Sequence, residues 1–147
     1  MKTEKIKKSI SISASSQKVW EVLTNDQYTR LWYAEFSEGT YAETDWKERS
    51  KVVFKDSKGN GLVGKIVLNK PAEALSVEYE GIVNAHVEDY KSSEAQQIRG
   101  GHENYFLTVS DGITMLSIES DMSPEYIEPM SLMWDKALLK IKDLSEA

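Results

Sequence analysis

The chain has 147 residues, 40% of them hydrophobic and 29% charged, which is typical of one soluble globular domain. Its formal net charge of −6 argues against nucleic-acid binding, because a phosphate backbone is bound by a clustered basic surface. The absence of cysteine excludes a disulfide framework, thiolate metal ligands and a cysteine nucleophile. No apolar run has the length of a membrane span, and the charged N-terminus lacks a signal-peptide core. We therefore expect one cytoplasmic domain over residues 1–147.

The N-terminal segment predicts one strand followed by two short helices. Apolar and polar residues alternate over residues 6–14, which indicates a half-buried β-strand. Ser15 and Ser16 offer an N-cap for a short helix over residues 17–24. Asn25 or Asp26 can cap a second short helix that contains Trp32. Two short helices between the first strand and the second are an unusual arrangement.

The middle of the chain predicts a meander of β-strands. Alternating patterns and turn residues place these strands at 36–44, 49–56, 61–69, 74–83, 102–110 and 113–120. Tyr79 and Val83 share one parity of their strand, so we expect them on the same face. Asp111-Gly112 is a strong signal for a two-residue hairpin. Residues 84–101 are polar and show no strand pattern, and a connection of this length is usually functional or mobile.

The C-terminal segment, residues 124–147, predicts a long amphipathic helix. Its apolar residues recur at gaps of three and four, which is the spacing of one helix face. They are Ile127, Met130, Trp134, Ala137, Ile141 and Leu144. Pro129 lacks an N–H and clashes inside a running helix, so we expect a first turn after Pro124 and then the main helix.

This order of elements predicts an α+β fold of six to seven antiparallel strands curled around the C-terminal helix. A strongly curved sheet cannot contact a straight helix along its whole length, so a cavity between the two is expected. We expect this cavity to open beside residues 84–101. Its predicted wall contains Tyr79, Tyr105, Leu107, Met130, Met133 and Trp134. The alternative is that these side chains fill a solid core.

Four short motifs occur in an order that resembles the START-like, or birch-pollen-allergen-like, helix-grip superfamily. They are VWEVLT at 19–24, LW at 31–32, ENYFLT at 103–108 before Asp111-Gly112, and MWDKAL at 133–138. More narrowly, they are similar to the branch related to the C-terminal domain of the heat-shock protein 90 ATPase activator. The resemblance covers nearly the whole chain and implies the helix-grip fold. It does not fix the function, because this superfamily includes lipid, hormone and polyketide binders, cyclases and co-chaperones.

Three functions are therefore open. The first, which we favour, is binding of a small apolar molecule such as a lipid, a polyketide or a flavonoid-like compound. The second is an enzyme of the polyketide cyclase or aromatase type, and the third is a protein-binding module. Leu132 and Leu139, on the far side of the last helix, favour a protein partner. The predicted ligand-binding residues are the six of the cavity wall together with Trp32 and His102.

The sequence carries no motif for a cofactor or a metal. It has no P-loop and no dinucleotide-binding fingerprint. The spacing of its two histidines, His86 and His102, matches no known metal-ligand motif, and a metal site would also require a carboxylate such as Glu103 or Glu88. His102 and Glu103 together suggest acid–base chemistry, but adjacent strand residues point to opposite faces, so only one of them can face a cavity. We predict neither a metal nor a cofactor.

Overall fold

The computed structural model describes residues 3–147, so Met1 and Lys2 of the predicted domain lie outside the described residues. The predicted strand and two short helices are confirmed in the N-terminal segment. They are β1 (Glu4–Ile12), α1 (Ser16–Thr24) and α2 (Asp26–Tyr33). The Ser15 hydroxyl accepts a hydrogen bond from the Lys18 N–H and caps α1, and the Asn25 side chain accepts one from the Gln27 N–H and caps α2. Both caps follow the sequence signals that predicted them.

The sheet is antiparallel and contains strands at the seven predicted places and one short additional strand. Its remaining strands are β2 (Tyr41–Glu43), β3 (Lys51–Lys55), β4 (Gly61–Lys70), β5 (Ala74–Asn84), β6 (Val87–Asp89), β7 (His102–Ser110) and β8 (Ile113–Met122). The strand predicted at 36–44 is limited to residues 41–43, because residues 34–39 form turns after the second helix. The strand order is β1-β8-β7-β5-β4-β3-β2, and β6 pairs only with β5. The first and last strands of the chain are thus neighbours at one edge, and β2 forms the other edge.

A bulge in β5 changes which of its side chains face the core. Tyr79 pairs with Gly64 and Gly81 pairs with Val63, so Glu80 between them has no register partner. The extra residue reverses the alternation, as β-bulges do. Tyr79 therefore belongs to the main core, whereas Val83 packs in a separate small cluster. The expectation that these two residues share a face is wrong for this reason.

The connection at residues 84–101 is more ordered than its polar sequence indicates. Ala85 and His86 adopt positive φ values of 47° and 69°, which turns the chain tightly from β5 into β6. A short helix, α3 (Ser93–Ile98), follows and is capped by the Ser92 side chain. Ala95 in this helix is fully buried, which fixes the segment against β5.

The C-terminal segment begins with a 3₁₀ turn, Pro124–Tyr126, and continues as α4 (Ile127–Glu146). The first turn before the main helix is thus as predicted. Pro129 is tolerated because it lies in the first turn of α4, where the N–H has no helical partner. The apolar face of α4 packs against β1, α1 and α2, while Leu132 and Leu139 are exposed. No helix within residues 3–147 is long and apolar enough to cross a membrane.

Candidate functional site

A cavity of about 320 Å³ lies between the start of α4, α2 with its following loop, and strands β3, β4, β5 and β7. The predicted mismatch between sheet and helix thus leaves space. Its wall is formed by Trp32, Tyr33, Phe36, Ser37, Thr40, Phe54, Asp56, Asn60, Gly61, Leu62, Tyr79, Glu103 and Met130. Ser37 and Asn60, the exposed residues of this wall, lie in the loop after α2 and in the turn from β3 to β4, so the cavity opens there. No residue of 84–101 lines it, so the expected opening beside that connection is wrong.

Aromatic rings form most of the interior wall and pack edge to face. The Tyr33 ring lies 4.5 Å from Trp32 and 5.8 Å from Phe54, measured between centroids. Phe54 in turn lies 6.4 Å from Tyr79. Edge-to-face contacts of this kind add about 0.5–1.5 kcal/mol per pair beyond the burial of area. The rings therefore hold one another in place and keep the wall from collapsing into the space.

Within residues 3–147, Glu103 is the one carboxyl group that lies among the aromatic side chains of the interior wall. It points into the cavity because it lies on the same face of β7 as Tyr105, whereas its neighbour His102 lies on the other face. The Tyr79 hydroxyl donates a hydrogen bond of 2.6 Å to Oε1 of Glu103, and the Tyr105 hydroxyl donates a short one to Oε2. Burial raises the pKa of Glu103, and the two hydrogen bonds partly oppose this rise.

The tyrosines around Glu103 remain neutral. Burial raises the pKa values of Tyr33, Tyr79 and Tyr105 well above their ordinary value, and the negative charge of Glu103 raises them further. Their hydroxyls therefore keep their protons near neutral pH, and those of Tyr79 and Tyr105 donate to Glu103. A carboxyl group with a raised pKa in an apolar pocket is the kind of group that binds or transfers a proton.

The rim of the cavity is polar and is organised by Asp56. One carboxylate oxygen of Asp56 accepts hydrogen bonds from the backbone N–H groups of Lys58 and Asn60, and the other accepts one of 3.0 Å from the Ser37 hydroxyl. These bonds tie the loop after α2 to the turn between β3 and β4. The backbone hydrogen bond from Asn60 lowers the pKa of Asp56, so this carboxylate is ionised near neutral pH.

Two buried tryptophans behind the cavity differ in their hydrogen bonding. The Trp32 indole N–H donates to the carbonyl of Val22, at 2.9 Å. Val22 lies in the last turn of α1, where carbonyl groups have no helical partner, so this bond links α1 to α2. The Trp134 indole N–H has no partner among residues 3–147, although the side chain is only 1% exposed. An unpaired buried donor costs about 1–3 kcal/mol.

Five of the eight predicted ligand-binding residues lie at the cavity or directly behind its wall. Trp32, Tyr79 and Met130 line it. Tyr105 and Trp134 form a second layer, with ring centroids 6.3 Å and 6.4 Å from that of Trp32. Both are buried, so the solid-core alternative describes this part of the interior.

The other three predicted residues do not line the cavity. Leu107 is buried in the core and Met133 is half-buried on α4. His102 lies on the outer face of the sheet, with its Nε2 atom 3.6 Å from a carboxylate oxygen of Glu78 and its Nδ1 atom 3.9 Å from one of Asp121.

The two histidines have different neighbours and do not form a site together. His86 packs over Gly59, because a Cβ atom added at that glycine would lie 2.6 Å from the imidazole ring. In the part of the chain from residue 3 onwards, no group of three His, Asp or Glu side chains is placed to hold a metal ion.

Several wall residues are not among the predicted ligand-binding residues, notably Tyr33, Phe36, Phe54 and Glu103. Glu103 shares its strand parity with Tyr105, which was a usable signal for an inward carboxyl group. Phe54 carries a similar signal, because it alternates with the buried Val52. Phe36 lies in the loop after α2, and no periodicity places a loop residue.

Comparisons with known proteins show the fold of this chain. No family model matches the sequence, and no curated protein matches it. The Aha1 dimer from Colwellia psychrerythraea, solved in solution, matches with a TM-score of 0.75 at 17% identity, over 97% of this chain and 96% of that one. CalU16 from Micromonospora echinospora matches with a TM-score of 0.69 at 15% identity, over 97% of this chain and 76% of that one.

A third structure, ChR145 from Cytophaga hutchinsonii, has a TM-score of 0.69 and 19% identity, covering 97% of this chain and 94% of that one. The predicted helix-grip architecture is thereby confirmed, and the Aha1 structure shares it over nearly its whole length. At these identities the likeness concerns the fold, and function has to be argued from the site.

Proposed function

We propose that this protein binds a small, mostly apolar molecule in the cavity between α4 and the sheet. The observation that carries the proposal is a space of about 320 Å³ with five aromatic side chains in its wall, Trp32, Tyr33, Phe36, Phe54 and Tyr79. Ligand sites in proteins are typically concave, roughly 300–1,000 Å³ in volume, and mostly apolar with a few polar groups. Glu103 and the rim residues supply such polar groups here.

A second argument is that packing alone does not require this space. Protein interiors are close-packed and rarely contain voids larger than a water molecule. The wall residues are aromatic rings held by their neighbours, and Met130 is a flexible side chain that adapts to a ligand's shape. A cavity with a rigid wall, one adaptable residue and an open rim is suited to a ligand that enters and leaves.

The test is a titration with a neutral aromatic probe, 2-naphthylmethanol, followed by the NMR signals of the tryptophan indoles. We expect saturable shifts of the Trp32 signal. Leu62→Trp places a large side chain in the cavity wall and should abolish them. Val67→Trp, at an exposed position of the same strand, is the matched control and should leave them unchanged. Saturable binding that survives Leu62→Trp in a folded protein would contradict the proposal.

An enzyme of the cyclase or aromatase type is a second candidate, and the environment of Glu103 favours it. A carboxyl group with a raised pKa beside two tyrosine donors can take a proton from a substrate carbon and return it elsewhere. Incubation with a synthetic poly-β-ketone thioester tests this directly. Turnover that is lost in Glu103→Gln, while 2-naphthylmethanol still binds, would assign the chemistry to Glu103. Absence of turnover in the unaltered protein would remove this candidate.

Protein binding is a third candidate, favoured by two leucines on the outer side of α4. Leu132 is 60% exposed and Leu139 is 57% exposed, and neither contributes to the core. Exposed apolar pairs of this kind can mark a contact surface. Titration with the middle domain of heat-shock protein 90 tests it. Shifts of α4 backbone signals that vanish in Leu132→Asp would support this candidate, and no shift at all would remove it.

A further inference from the structure

The charged groups that face the cavity are all acidic. Glu103 and Asp56 line it, and within residues 3–147 no lysine, arginine or histidine does so. Asp56 carries its charge at the rim, held by two backbone N–H groups and the Ser37 hydroxyl. A ligand with a carboxylate, such as a fatty acid, would therefore meet the charge of Asp56, the charge of Glu103 whenever that group is ionised, and no counter-charge. The formal net charge of −6 also disfavours the approach of an anionic ligand.

Glu103 has unused acceptor capacity towards the cavity. A carboxylate offers about four lone-pair sites on its two oxygens. The Tyr79 and Tyr105 hydroxyls occupy one site on each oxygen. These two bonds also fix the orientation of the group, so it is positioned before any ligand arrives. A ligand group that donates hydrogen bonds and carries positive charge fits this acceptor best.

The aromatic wall adds a second attraction for the same kind of group. The faces of tryptophan, tyrosine and phenylalanine rings attract cations, and binding sites for ammonium groups are commonly lined by them. Here five such rings surround the space that Glu103 faces. An isolated cation would lose its hydration on entering, but a carboxylate and ring faces together compensate that loss.

We propose that the cavity selects an apolar molecule that carries a protonated amine, with the ammonium group bound by the Glu103 carboxylate and the aromatic wall. This inference rests on the proposed function, because it specifies the ligand of the same cavity. A neutral ligand with only a hydroxyl donor is the weaker alternative, since it gains a hydrogen bond but no charge pairing. Asp56 at the rim attracts the cation during entry.

Binding of the ammonium group is coupled to the proton on Glu103. The titratable side chains that face Glu103 are tyrosines from α2, β5 and β7, namely Tyr33, Tyr79 and Tyr105, and they stay neutral. An ammonium group favours the ionised carboxylate, so its binding expels a proton from any fraction of Glu103 that is protonated. Affinity for an amine should therefore rise with pH until the amine itself loses its proton.

Three probes on one ring system test the inference: 2-naphthylmethylamine as the cation, 2-naphthylmethanol as the neutral donor and 2-naphthoate as the anion. We expect the amine to bind about tenfold more tightly than the alcohol near neutral pH, which corresponds to about 1.4 kcal/mol. The anion should bind most weakly. Glu103→Gln should remove the preference for the amine, whereas Glu78→Gln, which removes an equal charge from the outer face of β5, should keep it.

Calorimetry in two buffers of different ionisation enthalpy gives an independent measurement on the unaltered protein. We expect 2-naphthylmethylamine to bind more tightly than 2-naphthylmethanol, and any proton release to accompany only the amine, so the inference stays testable if Glu103→Gln does not fold. Equal affinity for the amine and the alcohol, or tightest binding of 2-naphthoate, would overturn the amine preference and leave the apolar site standing. No binding of any probe would overturn both proposals.

Discussion

The hydrogen bond from Tyr79 to Glu103 makes a prediction that links stability to pH. Tyr79→Phe removes the hydroxyl that lies 2.6 Å from Oε1 of Glu103 and leaves the ring in place. That hydrogen bond lowers the pKa of Glu103, so its loss raises the pKa of the folded state further above the unfolded value. Above a pH of about 4.3, the usual value for glutamate, the folded protein then binds more protons than the unfolded chain, and stability falls as pH rises.

The magnitude follows from the charge on the acceptor. At low pH Glu103 is protonated in both states, and the variant loses a neutral hydrogen bond worth about 0.5–1.5 kcal/mol. Once Glu103 is ionised, the lost bond is to a charged acceptor and is worth about 1.5–3 kcal/mol. We therefore expect the destabilisation to grow by about 1 kcal/mol between the two limits.

Urea unfolding at pH values from 4 to 8 measures this difference. Tyr41→Phe is the matched control, because it removes a tyrosine hydroxyl bonded at 3.1 Å to the exposed Glu43. We expect that variant to change the free energy of unfolding by less than about 0.5 kcal/mol at every pH. A destabilisation by Tyr79→Phe that is constant with pH, or equal to that of the control, would refute the coupling between Tyr79 and Glu103.

Further predictions concern the tryptophan layer and Glu103 itself. Trp32→Phe should destabilise the protein by about 1–3 kcal/mol more than Trp134→Phe. Only the Trp32 substitution removes a hydrogen bond, the one that its indole N–H donates to the Val22 carbonyl. Equal unfolding free energies for these two variants in urea would be inconsistent with that bond. Glu103→Gln should flatten the fall in stability above a pH of about 4.3, since its raised pKa is the source of that fall. If the unfolding midpoints of Glu103→Gln decline with pH as steeply as those of the unaltered protein, Glu103 is not the cause of that decline.

Periodicity and capping signals were sufficient to predict most of the fold. The first strand, the two short helices and α4 each follow from the spacing of apolar residues and from a serine, asparagine or proline at the start. These signals depend only on neighbouring residues, so they can be recognised without knowledge of the tertiary contacts. The hairpin at Asp111-Gly112 was predictable for the same reason, and Asp111 adopts the positive φ of 51° that such a turn requires.

The parts that could not be predicted depend on contacts between distant segments. The bulge at Glu80 arises where β5 meets β4, and nothing in the sequence of β5 alone indicates that the alternation reverses. The opening of the cavity lies where the loop after α2 meets the turn between β3 and β4, and Asp56 joins them through Ser37. Residues 84–101 show no strand period because β6 has only three residues.

Predicting the carboxyl group that faces the cavity required deciding which of two adjacent residues points inward. His102 and Glu103 are adjacent on β7, and the parity argument allowed only one of them to face the cavity. The structure places the glutamate inside and the histidine outside, beside Glu78 and Asp121. Parity with Tyr105 would have indicated this outcome, had the aromatic residues been used to define the inner face.

The most direct test of the central claim is to locate a bound ligand by intermolecular NOEs. With 2-naphthylmethanol at saturation, we expect contacts from the naphthalene protons to the Met130 methyl group and to the Phe54 ring, both of which line the cavity. NOEs only to the exposed methyl groups of Leu132 and Leu139 would contradict it. That result would place the binding surface on the outer side of α4.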